Sequence, residues 1–442
     1  MKGESRCYRD RIRDPRLIRR VEGLPLGEDT LSQGIGWVLA PTLGNFVCWT
    51  LHQALEKGLN RLYFVARDGW FPYRMARFLG QHWNLPVECR YLYGSRYAWR
   101  QPLFFLNHLQ AVEHLCRSSL WVTPDRVLAR GGLSEEERVT LLSQLGWEGD
   151  LPLSRKELGT LREQLLDCPE FFSLLDAHSR EAFPLAGAYL RQEGLWDSLA
   201  WALVDSGWMG TLQDTLGALL EELGWKGRVR GLYWGLYRAP LRGDWDCCYF
   251  SPGRNLNRQA NFQNCLFEGA FSAPHGMTLG YVREGERSVP VLGQPNGAKS
   301  FLAREEEIFS AYGEALAREG MPTKEVLVRE QREVQRLLGQ WMTRPTREEA
   351  LAFGRLAFTD DVLEGRSFSL ASPLTRQQLA QNRVMHRLVG EKPVLPSPWP
   401  EGSAALYGTQ EDLRALGRLR WARTLGMALK AWRSEARGGG EP

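Results

Sequence analysis

The period of the apolar positions changes along the chain, and the changes separate helices from strands. Between residues 35 and 58 (IGWVLAPTLGNFVCWTLHQALEKG) apolar side chains recur at helical spacing, and Lys57-Gly58 supplies a C-terminal stop. Arg61-Leu62-Tyr63-Phe64-Val65-Ala66 follows as a short, nearly continuous apolar run, the pattern of a strand buried on both faces. A polar break at Arg67-Asp68-Gly69 leads into a helical pattern over 70–82, and a second short strand is predicted over 87–93. The same order returns later: a strand at 199–204, a break at Asp205-Ser206-Gly207, a helix over 209–223 ending near Gly224, and a strand over 228–237. Two β–loop–α–β units predict an α/β fold with a Rossmann-like parallel sheet.

The units are separated by residues 103–195, where the pattern is helical at 134–145, 154–166 and 170–194. Ser134 and Ser154 are expected N-caps there and Gly146 a stop, so the stretch reads as a helical insertion. After residue 300 the chain is again helical in pattern, over 300–318, 323–343, 346–358, 374–388 and 409–434. Four prolines in 391–403 predict a linker or extended wrap. Residues 1–30 read as a charged arm or the remnant of a preceding unit. The expected organisation is therefore an arm at 1–30, an α/β domain at 31–292 and a mostly α-helical C-terminal region at 300–442.

Composition narrows the function classes. A chain of 442 residues is too long for one ordinary core, and 43% hydrophobic with 24% charged residues is a globular balance. With 56 basic and 52 acidic residues the net charge is only +4, so no nucleic-acid partner is expected. The eight cysteines include no C-x-x-C pair, and adjacent Cys247 and Cys248 suit neither a zinc site nor an ordinary disulfide, so buried free thiols in a reducing cytosol are expected. MKGESRCYRDR has no apolar core of a secretory signal, and no run of about 18 apolar residues is seen. A cytoplasmic location is the expectation. Leu413, Leu416, Leu419, Trp421, Leu425, Leu429 and Trp432 among arginines make the last helix amphipathic and basic. It suits packing on its own domain, or contact with the inner face of an anionic membrane.

Ligands of parallel sheets sit beyond the carboxyl ends of the strands, where helix N-termini favour phosphate. Both polar breaks occupy that position. In the first, Arg67 could pair with phosphate, Asp68 could act as base or hold a metal, and Gly69 could free the backbone for close approach. In the second, Asp205 stands at the strand end, and Ser206, Gly207, Gly210 and Thr211 form a small donor-rich turn into a helix. The plainer alternative is that both aspartates cap helices and the glycines serve turns. Glu268 and His275, seven residues apart around Pro274, are acid/base candidates, with a satisfied core histidine as the alternative. Ser95 and Arg96 at the end of YLYGSR are further phosphate candidates. Walker A, G-x-S-x-G, H-E-x-x-H and G-x-G-x-x-G motifs are missing; Mg2+ held by Asp68 and Asp205 stays open.

The order YFVARDG, YLYGSR, LVDSGWMGTLQ and FEGAFSAPHG resembles a family of large bacterial proteins described as predicted hydrolases of the haloacid dehalogenase (HAD) superfamily, which occur with polysaccharide-biosynthesis enzymes. The resemblance covers roughly residues 31–290. It implies an enzyme acting on a phosphorylated sugar or nucleotide-sugar, as hydrolase or transferase, in cell-surface polysaccharide metabolism, or else a non-catalytic partner of a glycosyltransferase. HAD phosphatases carry their nucleophile in D-x-D-x-T/V, which does not occur in this chain. The ARDG and DSGWMGT loops also look like the pyrophosphate and phosphoribosyl-pyrophosphate loops of type I phosphoribosyltransferases, although Ser206 stands where a second acid is usual.

Overall fold

The computed structural model describes residues 8–119, 121–295, 298–359, 363, 367–380 and 397–438, with side chains to residue 429. Helix α1 (Pro15–Glu22) precedes a long continuous helix, α2 (Thr30–Glu56), which contains one π-helical turn at Ile35–Leu39. Strand β1 (Arg61–Val65), helix α3 (Trp70–His82) and strand β2 (Glu88–Leu92) follow at the boundaries that the apolar pattern predicts to within a residue. After a short helix α4 (Arg96–Arg100) comes the insertion, closed by the long helix α5 (Pro169–Gln192). Strand β3 (Trp201–Trp208), helix α6 (Thr211–Glu222), β4 (Arg230–Leu236) and β5 (Asp244–Phe250) complete the sheet.

The five strands are parallel, in the order β2-β1-β3-β4-β5. Strand periodicity sends alternate side chains to opposite faces. Leu62, Phe64, Ala202, Val204, Leu232 and Trp234 meet Leu43, Phe46 and Val47 of α2 and Met75 and Leu79 of α3. Tyr63, Val65, Leu92 and Leu203 meet Tyr189 and Leu190 of α5 and Leu216, Leu219 and Leu220 of α6. Helices on both faces explain why β1 has no exposed residue. The result is a Rossmann-like α/β fold.

Helix α2 is long and apolar enough to cross a membrane, which the search for unbroken apolar runs did not anticipate, yet 94% of its most apolar window is buried inside the protein. It is sandwiched between the sheet and two helices of the C-terminal region, α8 (Lys299–Glu319) and α9 (Lys324–Thr343). Burial among protein side chains accounts for its composition.

The insertion has its own apolar core around Val112, Leu128, Leu142, Leu161, Phe171 and Leu175. Its helices Glu135–Leu145 and Arg155–Leu166 start at Ser134 and Ser154 with reciprocal capping boxes to Glu137 and Glu157, and the first stops at Gly146 in the left-handed region. The expected free cysteines are observed at all seven described positions; Cys7 lies outside the described residues.

Several elements differ from the sequence expectation. Asp205-Ser206-Gly207 is not a break: β3 runs on through it, because Gly207 and Trp208 pair with Gly235 and Leu236 of β4. Turn-forming residues stay in the strand where a neighbouring strand supplies their backbone partners. β5 was not foreseen, its polar first half lying at the open edge of the sheet. Nor was the hairpin of β6 (Thr278–Glu284) and β7 (Arg287–Leu292), which turns at Gly285. The N-terminal segment is no free arm, since Leu17 and Val21 are buried and Arg20 reaches Tyr312, Glu319 and Glu330 at 2.9, 2.6 and 3.1 Å. Residues Pro400–Tyr407 form a helix within the expected linker. The helix expected over 374–388 is described as Arg376–Ala380, and 381–388, linker residues 391–396 and the Trp432 side chain lie outside the described residues.

Candidate functional site

From β1 the chain turns to β2 on one side, while β3 lies on the other side of β1. In the order 2-1-3-4-5 this makes the gap between β1 and β3 the switch point, where the loops leaving two neighbouring strands diverge and open a crevice. The two motifs singled out in the sequence leave those two strands. The Ser206 hydroxyl donates to Asp68 Oδ2 at 2.5 Å and ties them together. Glu268 joins from helix α7 (Asn264–Ala270), accepting a hydrogen bond from Trp208 Nε1 at 2.6 Å.

Three carboxyls thus share one small volume, and their acidities show it. Burial raises Asp68 above the usual carboxylate range, against the opposing pull of Ser206, Arg67 and Arg96. Burial, then the charge of Asp68, pushes Asp205 up to about 7 and Glu268 up to about 8. Arg96, exposed at the start of α4, faces all three acids, and Arg67 faces Asp68 and Glu268. The walls are apolar, with Leu43, Phe46, Pro72, Trp234, Phe267 and Phe271 around Asp68 and Asp205. The cavity between them is about 10 Å³, close to the least that admits one water.

The backbone of the site is held by glycines with different duties. Gly69 has an ordinary helical φ of −74°, so its expected conformational freedom is unused; a Cβ there would lie 2.4 Å from Val65 O. Gly207 and Gly210 do need the left-handed region, at φ +104° and +67°. Asp205 Oδ2 accepts from Gly207 N at 3.1 Å, within the last residues of β3. Trp208 takes φ +68° without being glycine, held by Glu268 and by rings of Phe262 and Phe267 at 5.1 and 5.7 Å. Neither α3, entered from Gly69, nor α6, entered through Gly210 and Thr211, has a side-chain cap on its N-terminal amides.

Two expected members have other partners. Ser95 caps α4 by accepting from Ala98 N at 2.9 Å and donates to Thr278 O at 2.7 Å, so its hydroxyl is committed to structure. His275 lies in an aromatic cluster with Trp70, Tyr91 and Tyr93, beside Arg67. Burial and then Arg67 lower its proton affinity against the pull of the Gly276 carbonyl. Nδ1 donates to Gly276 O at 2.8 Å, so the neutral ring accepts from the Tyr91 hydroxyl at Nε2, also 2.8 Å. Tyr91 and Trp208 were missed by the sequence reading; the only signal was their place inside the YLYGSR and DSGWMGT motifs.

Among the described residues no three His, Cys, Asp or Glu side chains meet in a metal-holding arrangement. Asp68 and Asp205 supply two carboxylates, the number with which Mg2+ is often held when a phosphate provides further oxygens. At the end of β1 the residue two before Asp68 is Ala66, which has no nucleophilic atom. No protein-family model matches the chain, and no curated protein matches it.

Proposed function

We propose that this protein is an enzyme that binds a phosphorylated sugar or nucleotide-sugar at the β1/β3 switch point and hydrolyses or transfers it by general acid–base chemistry. The observation that carries the reading is the convergence of Asp68, Asp205 and Glu268 with Arg67 and Arg96 beyond two adjacent strands. Arg67, Arg96 and the amides entering α6 hold phosphate. Glu268, at about 8, carries a proton at neutral pH and serves as the acid; Asp205, at about 7, is poised to accept one. Asp68 positions Ser206 and sets the acidity of both. Because the cavity admits only about one water, the bulk of the substrate lies at its mouth, over the two arginines.

Mg2+ fits as a cofactor held by Asp68 and Asp205, where it would neutralise phosphate charge. An aspartyl-phosphate route of the HAD type finds no support in this chain, since Ala66 cannot attack phosphorus. The setting in polysaccharide metabolism rests on the resemblance of the motif order, and the proposed cytoplasmic location on the free cysteines among the described residues. A second reading, a non-catalytic partner of a glycosyltransferase, draws on the exposed side chains of the last helix, α10 (Gln410–Gly438), such as Trp421 at 67% exposure.

The test uses isotope-labelled sugar phosphates and nucleotide-sugars with wild type and Asp205→Asn. Turnover is expected to fall by roughly 10²–10⁴ in the variant. Equal turnover removes Asp205 from the mechanism, and no turnover of any phosphorylated sugar by wild type favours the partner reading.

A further inference from the structure

Beside the acids, the same end of the sheet carries three further arginines, Arg100, Arg117 and Arg238, that the acid–base site does not use. Arg96 and Arg100 are one turn apart on α4 and therefore share a face. Arg100 reaches across to α6, where its Nη2 donates to Thr215 Oγ1 at 3.3 Å. Arg238, beyond the carboxyl end of β4, flanks the same helix by approaching Asp214 Oδ2 at 3.5 Å. Arg117 enters from the helical insertion, and its charge acts on Arg100 and on His114. The segments after β2 and β4 and the insertion thus deliver four arginines to one rim, beside the helix that follows β3.

Arg100 and Arg117 are poorly matched by acids. Among the described residues neither makes an ion pair, and Glu113, the acid facing Arg117, is engaged by Arg162 at 3.3 Å. Arg238 has only Asp214 Oδ2, at 3.5 Å. Their mutual repulsion adds to burial in lowering proton affinity. Burial, then Arg117 and Arg96, presses Arg100 down to about 9, and the same forces from Arg100 and Arg117 hold His114 at about 3. His114 Nδ1 is buried with no hydrogen-bond partner. Guanidinium groups gathered beside an unpartnered ring nitrogen repel one another, and a bound anion relieves that repulsion.

We infer that Arg100, Arg117 and Arg238, beside the first turns of α6, form a second phosphate subsite next to Arg96. The ligand is then a diphosphate ester, the linkage of nucleotide-sugars, and not a sugar monophosphate: one phosphate lies against Arg67 and Arg96, the other on this rim. The inference rests on the reading of the Asp68 site as phosphate-binding and narrows its substrate class. Guanidinium forks suit the several charged oxygens of a diphosphate, and the exposure of Arg96, Arg117 and Arg238 leaves the rim open to solvent on its outer side.

The full chain is titrated calorimetrically with inorganic pyrophosphate and with orthophosphate at equal ionic strength. Wild type is expected to bind pyrophosphate about tenfold or more tightly than orthophosphate. Arg100→Gln, Arg117→Ala and Arg238→Ala are each expected to cut that preference several-fold while changing orthophosphate affinity less than about twofold. Without ligand, Arg117→Ala should unfold at the wild-type temperature or above it, because it relieves repulsion; a structural role for the arginine would lower it. Should Arg100→Gln fail to fold, the two exposed variants decide. A wild type that binds orthophosphate and shows no preference for pyrophosphate overturns the second subsite and leaves the Asp68 site standing. Binding of neither anion overturns both. A pyrophosphate preference that survives all three substitutions also overturns the assignment.

Discussion

Replacing Glu268 by glutamine tests the electrostatics of the site with little change of shape. The amide keeps an oxygen to accept from Trp208 Nε1, the bond that holds Trp208 in its left-handed conformation. It removes only the capacity to ionise. Glu268 titrates at about 8, against 4.5 for a free glutamate. A carboxyl raised in this way contributes its full stability below the unfolded value and loses it as pH rises through the folded one, at about 1.4 kcal/mol per pH unit. Acting alone it would forfeit on the order of 4 kcal/mol by pH 8. Relaxation and water entry around the ionised carboxyl lower this cost, so about half of that figure, ~2 kcal/mol, is expected. At pH 5 and below wild type and Glu268→Gln should unfold almost together. By pH 9 the variant should be the more stable by roughly 2 kcal/mol, a gap of a few degrees in a chain of this size. Scanning calorimetry and urea titrations at pH 5, 7 and 9 measure the divergence. Parallel pH profiles for the two proteins would refute the claim that Glu268 is held protonated by burial and Asp68.

Other perturbations probe features away from this carboxyl. Glu305 on α8 is fully buried, neither oxygen has a partner, and burial raises it well above the usual range. Glu305→Leu should therefore raise the unfolding free energy read from urea titration by about 1–3 kcal/mol near neutrality and by more at pH 9; a less stable variant would contradict it. Gly207→Ala must place a Cβ at φ +104°, 2.5 Å from Gly235 O, and should cost about 1–3 kcal/mol, read as a lower melting temperature. On α10, Trp421, Leu425 and Leu429 are 67%, 44% and 56% exposed beside Arg414 and Arg418. The full chain should co-sediment with vesicles containing anionic lipid, and Trp421→Ser with Leu425→Ser should abolish this at unchanged melting temperature. Wild type that stays in the supernatant removes membrane contact from consideration.

The amino-acid sequence by itself determined the elements whose cause is local. Helix α3 and strands β1 and β2 follow the spacing of their apolar residues, and the capping boxes at Ser134 and Ser154 follow from residues three positions apart. It also marked both motifs of the candidate site, since an aspartate followed closely by glycine after an apolar run stands out in any pass along the chain. What it could not show depends on residues distant in the chain. Asp205-Ser206-Gly207 has turn composition, and only pairing with β4 keeps it in β3. Ser95 reads as a phosphate donor until the Thr278 carbonyl, 183 positions away, accepts its hydroxyl hydrogen bond. Arg20 reads as part of a charged arm, yet it is buried against helices about 300 residues on. The arginine rim is the clearest case. Arg100, Arg117 and Arg238 are unremarkable singly in a chain of 56 basic residues. Only the tertiary fold brings them to one end of the sheet beside Arg96, because charge interactions fall off with distance in space and take no account of separation along the chain.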